Sequence, residues 1–102
     1  MIAMLQAQIF IDLEETLGDQ TLEDYIMQFL AEHHIMGATS FRGHSGFGKN
    51  HRIKRPSEIF SFDEPPAMIM FIDEDDKVRD VIALLRKRMK SGLITVQPIE
   101  KL

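Results

Sequence analysis

The chain has 102 residues, of which 44% are apolar and 27% charged, and its formal net charge is −4. This length and composition are typical of one globular domain and leave no room for two hydrophobic cores. The sequence contains no cysteine, which excludes disulfides, thiol chemistry and thiolate metal sites. No apolar run approaches the roughly 18 residues that indicate a membrane helix, and the net negative charge argues against general nucleic-acid binding.

The first residues, MIAMLQAQIFID, have no basic region and lead directly into acidic residues, which is not the pattern of a signal peptide. We therefore expect a cytoplasmic protein that is not inserted in a membrane. We also expect one domain that spans residues 1–102.

Charge is distributed unevenly along the chain. Residues 1–41 contain seven acidic side chains and no lysine or arginine. Five Lys or Arg side chains and two histidines then fall between Arg42 and Arg55, with no acid among them. A second basic cluster, RKRMK at 86–90, is explained as the end of a helix, where cations complement the helix dipole. The first cluster has no such explanation.

The first elements in chain order are a strand and a helix. Residues 4–12 alternate in a period of two, which indicates a half-buried strand. Gly18 and Asp19 predict a turn, and Thr21 is typical of the N-cap of an amphipathic helix. We expect this helix to end near Met36, with Gly37 as its left-handed C-terminal residue.

A short extended piece is predicted at 58–62 (EIFSF), and two further strands are predicted at 38–45 (ATSFRGHS) and 67–73 (AMIMFID). The last of these is almost continuously apolar, so we expect it to be buried on both faces. Acids at 73–76 then open a second amphipathic helix, which Gly92 ends.

The final strand is predicted at 93–100, which makes the element order β-α-β-β-α-β. This order is the split βαβ of the ferredoxin-like α+β sandwich, a four-stranded antiparallel sheet with both helices on one face. The other face of such a sheet needs a cover, and oligomerisation would supply it.

The sequence gives no convincing catalytic or metal-binding pattern. His44 and Ser45 are adjacent on a predicted strand, so their side chains point to opposite faces and are poorly placed for proton transfer. The pair His33-His34 lacks a metal-site spacing, and we expect one of these rings on the core-facing edge of the helix and the other in solvent. The acids at 73–76 lack the spacing of a calcium loop. We therefore predict neither an enzyme nor a metal site.

Residues 43–55, GHSGFGKNHRIKR, combine glycines with basic side chains. The segment is neither a Walker A loop nor a GxGxxG motif. Glycines let backbone amides approach an anion closely, and Lys49 and Arg52 can neutralise its charge. From composition alone, both a flexible surface loop and a phosphate site remain open.

The stretches GATSFRGHSGFGKN (37–50) and PPAMIMFIDEDDKVRDVIALLRKRMKSGLITV (65–96) resemble the PII-like signalling proteins over nearly the whole chain. The chain is most similar to their small, uncharacterised branch, known only as a domain of unknown function. The resemblance implies a homotrimer that binds adenine nucleotides in clefts between subunits. It also implies a mobile loop, at about 46–58, which reaches a partner protein of a class such as a transporter or an enzyme.

The resemblance also implies roles for individual residues. It assigns Thr39 to a position near the adenine, Lys49 to a phosphate contact and Ile72 to a position whose backbone meets the base. The backbone that wraps the phosphates is assigned to Gly46, Phe47 and Gly48. Candidate contacts to phosphate or to the partner are Arg42, His44, Arg52, Lys54 and Arg55.

The chain departs from the PII pattern in several places. Gly92 leads directly into a strand, so the phosphate-gripping GDGK loop is absent, as is the C-terminal arginine pair. The loop is shorter, and the one tyrosine, Tyr25, lies in a predicted helix. These differences argue against nitrogen signalling with ATP and 2-oxoglutarate. They leave a smaller ligand such as AMP, ADP or a cyclic nucleotide as the expectation.

We therefore expect a regulatory module that needs no cofactor and binds an adenine nucleotide as a regulatory ligand. The alternative is a trimeric binder of divalent metal or a small anion, with His44, His51 and the acids at 73–76 as candidate ligands. A third interpretation is an assembly subunit whose basic loop docks an acidic protein.

Overall fold

The computed structural model describes residues 3–45 and 66–102, which form a sheet and a layer of helices. Four long strands make one antiparallel sheet, and two short strands pair in a separate hairpin. The elements are β1 (Met4–Asp12), β2 (Thr16–Leu17), β3 (Gln20–Thr21), α1 (Leu22–Glu32), β4 (Gly37–Arg42), β5 (Pro66–Glu74), α2 (Asp75–Arg86) and β6 (Leu93–Ile99).

The main sheet has the strand order β4-β5-β1-β6. Apart from the β2–β3 hairpin, the element order is that of the ferredoxin-like α+β sandwich, as the sequence predicts. The hairpin was not predicted, although its turn at Gly18 was, and Gly18 has the positive φ of 65° that such turns favour.

The hydrophobic core lies between the sheet and the helices. Every second residue of the two central strands is buried there, and burying a large apolar side chain such as Ile9 or Phe71 stabilises the fold by about 1.5–3 kcal/mol. The sheet contributes Leu5, Ala7, Ile9, Ile11, Ala67, Ile69 and Phe71, and the helices contribute Leu22, Ile26, Leu30, Val78, Val81 and Leu85.

Helix α1 begins as predicted. The Thr21 hydroxyl accepts a hydrogen bond from the amide of Asp24 at 3.1 Å, which confirms Thr21 as the N-cap. Further along, the ring of His33 stacks on Phe29 with centroids 4.1 Å apart and is half-buried, whereas His34 is exposed. The prediction of one histidine on the core-facing edge of the helix and one in solvent is therefore confirmed.

The end of α1 differs from the prediction. The helix ends at Glu32 rather than near Met36, and the left-handed residue is His34, at φ 57°, rather than Gly37. The amides of His34 and Ile35 donate to carbonyl oxygens of the last helical turn, both at 3.1 Å. This is a Schellman ending, and it needs a left-handed residue directly after the cap, which is too early in the chain for Gly37.

Helix α2 begins at Asp75, so only the last two of the four acids at 73–76 lie in its first turn. Asp73 belongs to β5 and is buried. The prediction that all four acids open the helix is therefore wrong, because the strand continues to Glu74 before the backbone turns into the helix.

The prediction that Gly92 ends α2 is also wrong, because the helix ends at Arg86. The Arg86 guanidinium donates to the carbonyl oxygens of Ser91, at 2.9 Å, and Gly92, at 2.7 Å. Gly92 has φ 87°, and a Cβ there would lie 2.9 Å from Met89 Cε and 3.0 Å from the Phe10 carbonyl oxygen. Gly92 is thus a close-packed turn residue at the start of β6.

Strand β5 is buried on one face and half-buried on the other, so its expected burial on both faces is wrong for the single chain. We call the face turned away from the helices the open face. It carries Met4, Gln6, Gln8 and Phe10 of β1, Thr39 and Phe41 of β4, Met68, Met70 and Ile72 of β5, and Leu93, Thr95, Gln97 and Ile99 of β6.

An apolar row crosses the open face from one edge of the sheet to the other. Its members are direct cross-strand neighbours in the order Phe41, Met68, Phe10 and Leu93. The two phenylalanines are 46% and 42% exposed, and Leu93 is 59% exposed. Contiguous exposed apolar surface of this kind is typical of an interaction face.

The predicted ends of two strands differ from the structure, and two further predictions are not tested. β4 ends at Arg42, earlier than the predicted end at residue 45, and β6 ends at Ile99. The extended piece predicted at 58–62 and the mobile loop predicted at about 46–58 lie outside the described residues. The mobile loop and the single-domain assignment over 1–102 stay predictions.

Candidate ligand-binding site

Two of the predicted nucleotide-binding residues lie together on the open face, Thr39 on β4 and Ile72 on β5. Gly37 pairs with Ile72, and Thr39 pairs with Met70. Thr39 and Ile72 are therefore diagonal neighbours on adjacent strands, within reach of one ligand. Because Thr39 is exposed and Ile72 is half-buried, this corner of the sheet offers a hydroxyl beside apolar surface.

Arg42 lies on the other side of the sheet from Thr39, because three residues along a strand reverse the face. Its guanidinium forms an ion pair with Glu23 of α1 at 3.3 Å, and the Ser40 hydroxyl donates to the same carboxylate. The Arg42 side chain is 68% exposed and that of Glu23 12% exposed. Arg42 therefore ties β4 to α1 and does not share a face with the corner formed by Thr39 and Ile72.

Gly43, which follows the last residue of β4, contacts Pro66, the first residue of β5, and we call this contact the neck. The Gly43 amide donates to the Pro66 carbonyl oxygen at 2.7 Å, and a Cβ on Gly43 would lie 3.2 Å from Pro66 Cγ. His44, which follows, is exposed. The other predicted site residues, Gly46, Phe47, Gly48, Lys49, Arg52, Lys54 and Arg55, lie outside the described residues.

Asp73 is a residue that the sequence prediction missed. Its carboxylate accepts hydrogen bonds from the amides of Met36 and Glu74, both at 2.8 Å, and lies 3.3 Å from the ammonium of Lys77. Burial by itself raises the pKa of Asp73, but the two amides and Lys77 outweigh it, so the pKa lies below its usual value. An acid on the buried register of β5, four residues before a lysine, was the available signal.

The candidate metal ligands do not gather into a site in the part of the chain that the structure describes. Residues 3–45 and 66–102 contain no group of three or more His, Asp or Glu side chains placed to hold a metal ion. Asp73 is paired with Lys77, and Asp75 pairs with Arg79 at 2.7 Å. His51 lies outside the described residues.

None of the helices in these two described ranges combines the length and the apolar character needed to cross a bilayer.

Comparison with known proteins places this geometry in a family context. The model of the DUF190 family, described as "Uncharacterized ACR, COG1993", matches residues 4–101. A UPF0166 protein of Aquifex aeolicus is 26% identical over 93 residues, which cover 91% of this chain and 88% of that protein.

Solved structures that share the fold at low sequence identity include the following two. One is CPII, a nitrogen regulatory PII-like protein from Thiomonas intermedia bound to ADP, AMP and bicarbonate, with a TM-score of 0.69 and 17% identity over 95% of this chain and 86% of that one. The other is the divalent ion tolerance protein CutA1 from Ehrlichia chaffeensis, with a TM-score of 0.65 and 12% identity over 100% of this chain and 86% of that one. The fold is thus that of the PII-like proteins, as the sequence resemblance implies.

Proposed function

This chain belongs to the DUF190 family, and we propose that it is a PII-like regulatory protein, not an enzyme, that binds an adenine nucleotide such as AMP or ADP. The observation that carries the proposal is the corner of the open face formed by Thr39 and Ile72. It lies toward the start of β4, the edge strand whose other end, at Arg42, leads into the glycine-rich segment. The fold likeness to a PII-like protein whose structure contains ADP and AMP supports it.

The proposed assembly is a homotrimer in which the open faces pack inward and each nucleotide lies in a cleft between subunits. The exposed apolar row that includes Phe10 and Phe41 supports this arrangement, since in the single chain it faces solvent. Subunit packing would cover it and would place a second chain beside the corner at Thr39.

The proposed output of binding is a change in the segment at about 46–58. Gly46, Phe47, Gly48 and Lys49 would meet the phosphates through backbone amides and one ammonium group. Phosphate contacts commonly switch a segment between disorder and order, and here the ordered form would present the basic residues up to Arg55 to a partner protein. We propose that the protein acts in the cytoplasm and that the partner it regulates is a transporter or an enzyme.

The experiment is calorimetric titration of the protein with AMP, ADP, ATP and cyclic AMP. Thr39 and Thr95 occupy the same row of the open face at opposite edges of the sheet, so Thr39→Val and Thr95→Val form a matched pair. We expect Thr39→Val to weaken binding about threefold or more and Thr95→Val to leave it unchanged, and Lys49→Ala to weaken it further. If no nucleotide binds more tightly than about 1 mM, the proposal is wrong.

The likeness to CutA1 favours one alternative, a trimeric binder of divalent metal or a small anion. In that case, divalent cations would raise the melting temperature of the wild type, and His44→Ala or His51→Ala would abolish the rise. Adenine nucleotides would have no such effect. The acids at 73–76 support this alternative poorly, because Asp73 and Asp75 already pair with lysine and arginine.

A further inference from the structure

Asp73 is the one polar or charged side chain that is buried among residues 3–45 and 66–102, with 5% of its surface exposed. It lies on the helix-facing side of β5, where the preceding residues of that register, Ile69 and Phe71, are apolar. A buried carboxylate costs free energy unless its charge is paired and hydrogen-bonded. Its place in the core is therefore explained by the groups that it binds.

One of those groups lies in the turn that joins α1 to β4, and the other two lie at the junction of β5 and α2. The Asp73 Oδ2 atom accepts the Met36 amide at 2.8 Å and lies 3.3 Å from Lys77 Nζ, while Oδ1 accepts the Glu74 amide. Lys77 also donates to the carbonyl oxygen of His34. The carboxylate and its lysine thus hold both ends of the turn at 34–36 against the junction of β5 and α2.

This turn leads directly into the proposed nucleotide site. Met36 precedes Gly37, whose register partner is Ile72, and Ile72 in turn precedes Asp73. Thr39 follows on the same face as Ile72. A charge on the helix side of the sheet therefore holds the two backbone segments that present the base-binding corner on the open side.

We propose that Asp73 is a positioning residue for the nucleobase, which sets the backbone of residues 36–39 against Ile72. This inference rests on the proposed function and deepens it, because it names what holds the base-binding backbone in place. Backbone groups that read a base edge lose affinity when they move by a fraction of an ångström, since hydrogen bonds depend steeply on distance and angle. Binding should therefore respond to Asp73, although its side chain does not face the ligand.

The test compares ADP and GDP binding to wild type, Asp73→Asn and Asp75→Asn by calorimetry. Asp75→Asn is the matched control, because Asp75 lies two residues away, pairs with Arg79 and makes no described contact with the turn at 34–36. For Asp73→Asn we expect about a tenfold loss of ADP affinity and a smaller preference for ADP over GDP. We expect Asp75→Asn to bind both nucleotides like the wild type.

Lys77→Met is the second variant, which keeps the test decisive if Asp73→Asn fails to fold. The Lys77 side chain is 38% exposed, so the fold should tolerate its loss, while the link to the His34 carbonyl disappears. We expect about a threefold loss of ADP affinity. Amide NMR spectra, recorded where each variant is folded, should show the largest shifts at residues 36–39.

The outcomes separate this inference from the proposed function. If the wild type binds no adenine nucleotide, both are wrong. If the wild type binds ADP, and folded Asp73→Asn and Lys77→Met bind it within about twofold of the wild type, Asp73 serves stability alone and only the positioning role is overturned. Loss of affinity in both variants, with an unaffected Asp75→Asn, supports the positioning role.

Discussion

The Gly43 amide nitrogen lies 2.7 Å from the Pro66 carbonyl oxygen and donates a hydrogen bond to it, just beyond the last residue of β4 and at the first residue of β5. The two ends of the intervening segment are thereby joined at one point beside the sheet. A proline fits there because it opens the strand, where its missing amide does not interrupt the ladder.

Gly43→Ala should destabilise the protein by about 1 kcal/mol, because the new Cβ would lie 3.2 Å from both the ring and the carbonyl oxygen of Pro66. Gly37→Ala is the control, since a Cβ at Gly37 meets nothing within 4 Å. Urea unfolding measures both variants. Equal stability of the two variants would show that the neck tolerates a side chain and would contradict the prediction.

Gly92→Ala should lower the free energy of unfolding by about 2–4 kcal/mol, which is more than Gly43→Ala. The reason is that the positive φ of Gly92 and a collision of the new Cβ with the Phe10 carbonyl oxygen act together. Gly18→Ala isolates the first effect, since Gly18 also has a positive φ but has open space around it, and it should cost about 1 kcal/mol. Thermal and urea unfolding give the two values. A loss at Gly92 no larger than at Gly18 would rule out the packing contribution.

Phe10→Asp should convert the proposed trimer to monomers, because it places a charge in the middle of the apolar row on the open face. Leu84→Asp is the control, since Leu84 is similarly exposed, at 41%, but lies on α2. Sedimentation equilibrium or native mass spectrometry measures the mass, and circular dichroism checks the fold. A Phe10→Asp protein that remains trimeric would place the interface elsewhere.

The pH dependence of stability should carry a contribution from Asp73. Its pKa is below the usual value in the folded protein, because the amides of Glu74 and Met36 and the Lys77 ammonium outweigh the effect of burial. The carboxylate therefore adds stability that is fully present above the unfolded pKa of about 3.9 and is lost as the pH falls through the lower, folded value.

Asp73→Asn should accordingly lower the free energy of unfolding at pH 7 by about 1–3 kcal/mol. Its stability should then fall less than that of the wild type when the pH is lowered from about 5 to 2. Urea unfolding across this range measures the difference. Parallel curves for the two proteins would mean that Asp73 titrates alike in the folded and unfolded chains.

Local patterns in the sequence were sufficient for most of the fold. The alternation of residues 4–12 coincides with β1, Thr21 is the N-cap, and the βαββαβ order follows from the sequence of periodic segments. Each of these features depends on neighbours within one turn or one strand. The predicted end of α1 is misplaced because His34 takes the left-handed conformation, which non-glycine residues adopt only uncommonly, in place of the nearby glycine.

Local sequence patterns were sufficient to predict only part of the candidate site. Thr39 and Ile72 were assigned through a family resemblance, and their position on one face follows from a register between β4 and β5 that the sequence does not state. The run of four acids at 73–76 favours a helix start, and this pattern hides the other signal at Asp73, its place on the buried register of β5 four residues before Lys77.

The sequence by itself determined which segments are strands and helices, which of their faces are apolar and which family the chain resembles, because these depend on periodicity and composition. Only the tertiary structure decided that Phe41, Met68, Phe10 and Leu93 form one row, that Gly43 meets Pro66, and that Asp73 holds the turn at Met36. Those relationships join residues far apart in the chain, and their partners are set by strand register and by the need of a buried charge for hydrogen bonds.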